Sequence, residues 1–402
     1  MNQFPAPGGE LHIGGQPLGA LAEKIGRTPF YVYDSSVIAS QLAALRAVMP
    51  KTLRIHYAVK ANPFPPLLAL MASLTDGFDI ASAGELTLAL QSGIQAAKIS
   101  FAGPGKRREE LHQAVAAGVL INIESFREAR LLAESTRETG TPARIAIRVN
   151  PDFELKSSGM KMSGGAKPFG VDAEQVPELL ALLARHGQTV EGFHIYAGSQ
   201  NLSGEAIAES QRQAYALVRR LAALATDEIR HINLGGGFGI PYFPGERRLD
   251  LTPVSAALAE ICADAAGRFS GAEVALELGR YLVGEAGAYV TRIVDKKVSR
   301  GHTFLVTDGG LNHHLAASGN FGQVIRKNYP VVIGNRMDAP PAAHPVSIVG
   351  PLCTPLDILA ENVFLPDAEA GDFVVVLQSG AYGASASPVD FLGHPPAAEL
   401  IL

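Results

Sequence analysis

Between Arg54 and Gly279 short apolar runs alternate with helical patterns, and this alternation constrains the fold more than any other feature of the chain. Runs rich in β-branched and aromatic residues fall at 54–60, 77–82, 98–102, 119–123, 143–149, 190–196, 230–235 and 272–277. Helical periodicity lies among them at about 64–74, 84–92, 108–117, 125–138, 173–186, 204–225 and 253–268. The 204–225 segment is the clearest, with Ala214, Leu217, Val218, Leu221, Leu224 and Ala225 on one face. Eight strands interleaved with helices predict a parallel (β/α)8 TIM barrel, an α/β architecture; a doubly wound open sheet is the competing arrangement.

The rhythm changes after Gly279. Runs at 287–299, 303–307, 330–334, 345–349 and 373–378 are split by Gly, Pro and Asp, mostly without a long helix between them, which predicts an all-β domain. The strand at Thr28–Tyr33 is expected to join it, and Asp34-Ser-Ser36 supplies an N-cap for a helix over 37–49. Residues 1–26 are Gly/Pro-rich with little periodicity. A length of 402 residues exceeds one ordinary core, so two domains are expected: a barrel over 35–279, and a β-domain from 1–34 plus 280–402. The longest irregular stretch, Asn150 to Gly170, carries Lys156, Lys161 and Lys167 and is expected to act as a lid.

A net charge of −5 gives no reason to propose nucleic acid as a partner. No N-terminal signal pattern and no run approaching the ~20 apolar residues of a membrane span are seen, so no membrane partner is expected. Two cysteines, Cys262 and Cys353, cannot make a disulfide framework and suit a reducing, cytoplasmic setting.

Catalytic groups of a barrel sit at the carboxyl ends of its strands. Those ends carry Lys60, Asp79, Arg148, Ser199 after His194-Ile-Tyr196, Gly235-Gly236-Gly237, and Glu277 with Arg280. Lys60 closes the first run where it surfaces into a pocket; a partly desolvated amine there is a nucleophile toward an aldehyde, although most lysines are solvated surface charges. Three glycines let backbone N–H groups approach a phosphate, and Ser199 and Arg280 add donors and charge. Taken alone, Gly-Gly-Gly reads equally well as a tight turn. A carboxylate buried at position 277 needs a cationic partner, and a protonated pyridine nitrogen is one. Aldehyde-binding amine, phosphate donors and a carboxylate for a pyridinium together describe pyridoxal 5′-phosphate.

These residues carry a family resemblance. Tyr57-Ala-Val-Lys-Ala-Asn62, Phe78-Asp-Ile-Ala-Ser-Ala-Gly-Glu85-Leu86, Arg148-Val-Asn-Pro151, Gly198-Ser-Gln200, Gly235-Gly-Gly-Phe-Gly239, Glu277-Leu-Gly-Arg280, Cys353 and Gly380-Ala-Tyr-Gly383 occur in an order that resembles the ornithine/diaminopimelate/arginine decarboxylases of the alanine-racemase-like fold, fold-type III. The runs Phe101–Lys106, Asn150–Lys156, Asp308–Gly322 and Val349–Asp357 most resemble the decarboxylases associated with exosortase A systems. The chain is also similar to decarboxylases that act on an aminoacyl group held by a carrier protein. The resemblance implies a carboxy-lyase in which Lys60 holds the cofactor as a Schiff base and Glu277 pairs with the pyridine nitrogen. Ser199, Gly235, Gly236, Gly237, Arg280 and Tyr382 would grip the phosphate, and Asp79 and Arg148 would line the ring and phenolic oxygen. It also implies a head-to-tail homodimer in which Cys353 and Asp308 reach into the partner's barrel, with Cys353 near the substrate carbon as a proton donor.

Two departures matter. Tyr196 stands where the family usually stacks a histidine on the cofactor; its ring can still stack, and His194 on the same side of the strand is a candidate for the lost acid–base role. Thr354 stands where the diaminopimelate enzymes carry a glutamate for the distal amine, leaving Asp308 as the remaining acid that could read a cation. His313 and His314 are adjacent, which makes them poor metal co-ligands; no metal is expected, and both are expected to line the substrate mouth. Lys106-Arg-Arg108 and the lid lysines could meet an acidic carrier protein, with solvated charge as the commoner explanation. Cys262 reads as core packing. The leading function is pyridoxal-phosphate-dependent decarboxylation of an amino acid or a carrier-bound aminoacyl group. The alternatives are an amino-acid racemase on the same fold, a pyridoxal-phosphate carrier without turnover, and a Schiff-base aldolase without cofactor.

Overall fold

The structure, a computed structural model, describes residues 3–153, 160–161, 164–321 and 326–402. Contacts divide it into two compact units, one of Leu42–Ile240 with Arg247–Gly279, the other of Met1–Gln41, Pro241–Glu246 and Arg280–Leu402.

The first unit is a closed barrel of eight parallel strands. They are β1 (Arg54–Ala58), β2 (Gly77–Ile80), β3 (Ile99–Phe101), β4 (Leu120–Ile123), β5 (Arg144–Asn150), β6 (Gly192–His194), β7 (His231–Gly236) and β8 (Glu273–Leu278). Each pairs with the next, and β8 pairs back onto β1, which excludes the open sheet. The period of two along each strand sets the two faces. Ile55, Tyr57, Phe78, Ile80, Ile145, Ile147, Leu276 and Leu278 are buried apolar residues at one parity. The other parity carries His56, Asp79, Arg148, His194 and Glu277, all buried as well. Cross-strand contacts between His56 and Asp79 and between His194 and Glu277 show that this polar set meets inside the barrel. A barrel interior is ordinarily filled by branched apolar side chains; here much of that volume holds titratable groups.

Helices follow the strands closely. Pro65–Leu74 starts on prolines, and the Ser82 and Ser125 hydroxyls accept the Glu85 and Glu128 N–H groups as N-caps. One boundary differs from the expectation where it matters. β1 ends at Ala58, and Lys60 lies in a 3₁₀ turn, Val59–Ala61, rather than on the strand. Asn62 causes this: its N–H donates to Val59 O, its side-chain oxygen accepts the Phe64 N–H, and its carbonyl accepts from Tyr57 Oη.

The second unit is built on a long strand, Gly287–Ser299, which pairs antiparallel with Phe30–Tyr33, Phe373–Val376 and His302–Thr307. Val346–Val349 lies parallel to His302–Thr307, and Val331–Ile333 pairs with Phe373–Val376. Phe30, Val32, Ala288, Val290, Val375, Leu18 and Leu21 share its core. Elements beyond those expected include a helix at Leu18–Ile25 and strands at Ile358–Val363 and Ala398–Ile401. The helix was legible, since Leu18, Leu21, Ala22 and Ile25 have helical spacing; the strands are short or interrupted by polar residues. No described helix is long and apolar enough to cross a membrane.

Candidate active site

At the carboxyl end of the barrel, Lys60 Nζ donates to Glu277 Oε1 at 3.0 Å, and His194 Nε2 lies 3.3 Å from Glu277 Oε2. The Lys60 ammonium also sits over the Tyr196 ring, 5.4 Å from its centroid. Glu277 has a side chain only 5% exposed, whereas that of Lys60 is 41% exposed. The Lys60 side chain is thus partly withdrawn from water, and β1 stops at Ala58, two residues before the end expected from the sequence. Burial alone would push the Glu277 carboxyl up, but Lys60 and His194 outweigh it and hold it well below the ordinary carboxylate range.

Asp79 lies beside this cluster on β2, with both oxygens buried and no hydrogen-bond donor on either among the described residues. Among the described residues its ionic neighbour is His56 Nδ1 at 3.3 Å. Burial pulls the His56 ring toward the neutral form, yet Asp79 wins and raises its pKa. Arg148, on β5, donates to Glu124 Oε1 at 2.9 Å, and its guanidinium lies 5.1 Å from the Phe169 ring.

The three glycines are demanded by backbone approach. A Cβ on Gly236 would lie 2.0 Å from Glu277 O, one on Gly237 2.2 Å from Gly198 O, and one on Gly235 2.8 Å from Ile195 O. Gly235 and Gly237 also hold φ of 69° and 79°. The Gly235 N–H donates to Asn233 Oδ1, so the expectation that it meets a phosphate is corrected; its dipole is already used. Ser199 is half-buried on a two-residue strand, Gly198–Ser199, paired with Met160–Lys161.

These residues fit pyridoxal phosphate. An amine and a buried carboxylate stand within one site, an aromatic face adjoins them, and Asp79 offers two buried oxygens that lack a donor.

The remaining expected site residues lie in the second unit. Arg280 Nη1 donates to Tyr242 Oη at 2.7 Å, and its guanidinium lies 4.7 Å from the Tyr382 ring. Tyr382 holds a φ of 55°, a left-handed conformation that costs a non-glycine residue energy and is common at functional sites. Cys353 is exposed, Thr354 half-buried, and Leu356 on the same turn is 59% exposed. That turn is anchored by Asp357, whose oxygens accept the Leu311 and Leu352 N–H groups at 2.6 and 2.8 Å. Burial pushes the Asp357 carboxyl up.

Three expectations are overturned here. Asp308 accepts from the Thr28 and Thr291 hydroxyls and from the Arg292 N–H, so its carboxylate is consumed inside its own unit rather than reading a substrate cation. His313 and His314 are core residues, 1% and 0% exposed, rather than the lining of a mouth. His313 Nε2 lies 2.9 Å from Pro395 O and His314 Nε2 the same distance from Ser379 Oγ, while Tyr31, Tyr289 and Tyr329 pack around them. Lys106 is buried against Glu128 and cannot meet a carrier protein; Arg107 and Arg108 are paired on the surface with Glu110, Glu134 and Glu138. Of the lid lysines, Lys156 lies outside the described residues.

Sequence reasoning passed over His56, Glu124, Tyr242 and Asp357. Glu124 was legible, because it directly follows β4 and the carboxyl ends of barrel strands carry the catalytic groups. Glu85 had been noted only within a motif; burial pushes its carboxyl up, and Lys60 and Glu277 are both near enough to act on it. A separate cavity of about 210 Å³ lies at the amino-terminal mouth, between Arg54, Asp76, Arg144, His231 and Glu273, and holds none of the expected site residues.

Residues 35–284 match the family described as pyridoxal-dependent decarboxylase, pyridoxal binding domain. The chain is 39% identical to the L-glutamyl-[BtrI acyl-carrier protein] decarboxylase of Niallia circulans, over 93% of this chain and 88% of that one. It is 34% identical to the diaminopimelate decarboxylase of Aquifex aeolicus, over 98% and 91%. Among solved structures, the diaminopimelate decarboxylase of M. jannaschii in complex with L-lysine superposes with a TM-score of 0.88 at 26% identity, over 100% of this chain and 93% of that one. The enzyme of Helicobacter pylori complexed with L-lysine does so at 0.83 and 28%, over 96% and 94%. The barrel with its separate β-sheet unit, the donor set at its mouth and these likenesses lead to one assignment: the chain belongs to the pyridoxal-dependent decarboxylases, carboxy-lyases of fold-type III whose cofactor is pyridoxal 5′-phosphate.

Proposed function

We propose that Lys60 is the amine that carries the cofactor, and that the chain removes the α-carboxylate of an amino acid or of an aminoacyl group held by a carrier protein. The observation that carries this reading is the 3.0 Å pairing of Lys60 Nζ with the buried carboxylate of Glu277. Pyridoxal 5′-phosphate, when bound, supplies a conjugated ring that accepts the electron pair left on Cα as CO2 departs. Glu277 would keep a proton on the ring nitrogen, and His194 would steady the other carboxylate oxygen. Tyr196 would offer its face to the ring. Arg148 and Asp79 would line the phenolic oxygen and the ring, and Gly236, Gly237, Ser199, Arg280 and Tyr382 would hold the phosphate. The barrel domain, 35–279, holds the cofactor, and the β-domain of 1–34 plus 280–402 completes the site of the other protomer in a head-to-tail homodimer. There Cys353 Sγ delivers the proton that Cα takes up. The exposure of Cys353 and Leu356 on one turn favours that placement.

The substrate reading favours a side chain without a distal cation. Thr354 offers only a hydroxyl, and the Asp308 carboxylate is engaged elsewhere. A glutamyl group presented by a carrier, as named for the Niallia relative, suits such a site. The closer resemblance to the exosortase A-associated decarboxylases points to a surface-polymer pathway, which adjacent carrier, ligase and polysaccharide genes would support.

Borohydride reduction of the purified holoenzyme followed by peptide mapping is the direct test, and the pyridoxyl mark is expected on Lys60. A mark elsewhere removes the reading. Incubation in D2O separates decarboxylation from racemisation: CO2 release is expected, and Cα-deuterated substrate of both hands without CO2 would favour the racemase.

A further inference from the structure

Four charged side chains lie buried in a row behind the site. Lys106 Nζ pairs with Glu128 Oε2 at 3.0 Å and also donates to Asn122 O and Gly103 O. The same Glu128 oxygen accepts the Glu124 N–H at 2.8 Å. Glu124 then divides its carboxylate: Oε1 accepts from Arg148 Nη1 and from the Gly103 N–H, and Oε2 accepts the Gly170 N–H at 2.9 Å. Side-chain exposures are 2%, 2%, 1% and 8% for Lys106, Glu128, Glu124 and Arg148. The Arg148 guanidinium also lies over the Phe169 ring, 5.1 Å from its centroid.

Stability does not account for this row. Taking four charges out of water costs several kcal/mol per ion, and hydrophobic residues of equal volume generally do as well. What the row does secure is geometry. Glu124 ties together the turn after β3, the end of β5 and the backbone at Gly170, every one of these ties passes through its carboxylate, and its own backbone N–H is held by Glu128, which Lys106 pairs.

We propose that Glu124 and Phe169 are positioning residues for Arg148: they hold its guanidinium with a carboxylate and an aromatic face, so that it meets the phenolic side of the cofactor already oriented. A cation held ready in this way favours the ionised phenolic oxygen without rearranging when the ligand arrives. The inference rests on Arg148 lining the cofactor, as proposed above, and is independent of whether Lys60 is the attachment point.

The test is a titration of apoenzyme with pyridoxal phosphate, followed by the ratio of the bound cofactor's visible to near-ultraviolet absorption across pH. Glu124→Gln is expected to weaken binding roughly 10- to 100-fold, the equivalent of one charge-assisted hydrogen bond, and to change the band ratio and its pH profile. On an Arg148→Met background the same substitution should add little, since the group it orients is gone. Phe169→Leu, on a half-buried residue, should move the same readouts in the same direction by about 2- to 5-fold, and it carries the test if Glu124→Gln does not fold. A wild-type band ratio in both variants, or full additivity with Arg148→Met, overturns the proposal. Borohydride trapping on the same samples keeps the Lys60 reading separate: an untrapped wild type with altered variant binding sinks that reading and leaves this one standing.

Discussion

Glu277→Gln keeps the volume at position 277 and removes its charge. Two effects on stability oppose each other. The pair with Lys60 is lost, but the 41% exposure of that side chain lets water screen the attraction, so the loss is about 1 kcal/mol at most. Against it, a neutral amide no longer carries the desolvation cost of a buried carboxylate. The apoprotein should therefore melt within a few degrees of wild type. Turnover should respond far more strongly, because the ring nitrogen loses the acid that holds its proton. Removing one preorganised charge from a buried site costs roughly 3–4 kcal/mol, or 10²- to 10³-fold in kcat. The assay is CO2 release at saturating substrate, with borohydride trapping to establish that the variant still carries the cofactor on Lys60. A fully loaded variant with kcat within about threefold of wild type, far short of the loss expected from such a charge, would refute the reasoning. The pH dependence has a definite sign. Glu277 lies below its ordinary value of 4.5 in the folded chain, so its contribution to stability is present above that pH and is lost as pH falls through the folded value. The melting difference between wild type and variant should stay constant from about pH 5 to 8 and change only in acid.

Gly236→Ala places a methyl 2.0 Å from Glu277 O and should cost about 1–3 kcal/mol while loosening cofactor binding; a wild-type urea midpoint would contradict the close approach of β7 and β8. His314 is held neutral by burial, its pKa pushed down to about 3, so its contribution to stability is complete above the ordinary 6.5 and falls away as pH drops below it. His314→Asn should accordingly flatten the loss of melting temperature between about pH 7.5 and 5, and an unchanged slope would show that the ring is not the titrating group. Cys353→Ala should leave the melting temperature unchanged, because the residue is exposed, while lowering kcat about 10²- to 10⁴-fold. Mixing it with Lys60→Ala should restore up to about a quarter of wild-type activity through mixed dimers with one complete site; no recovery on mixing would place Cys353 outside the partner's site.

The barrel was legible because its signals are local. β-Branched runs alternating with amphipathic helices point to a parallel α/β arrangement, and all eight strands lie within a few residues of the segments read from the pattern; the pairing of β8 with β1 is what decides for the barrel over the open sheet. The helix at Leu18–Ile25 was equally local and was passed over because neighbouring glycines and prolines obscured its spacing. Side-chain environment proved harder. His313 and His314 look like mouth residues in the linear order, yet three tyrosines close over them in the β-unit core. Asp308 looks available until Thr28, which lies 280 residues earlier, donates to it. Lys106 looks solvated beside two arginines, and only Glu128 and the carbonyls of Gly103 and Asn122 explain its burial.

What the amino-acid order determined by itself was the strand and helix rhythm and the residue types at the strand ends, because each follows from spacing along a single element. Which acid meets which base was decided only in three dimensions. Lys60 and Glu277 are 217 positions apart and become neighbours because β8 closes onto β1. A charge takes its character from what surrounds it in space, and ring closure of the barrel is what supplies those surroundings.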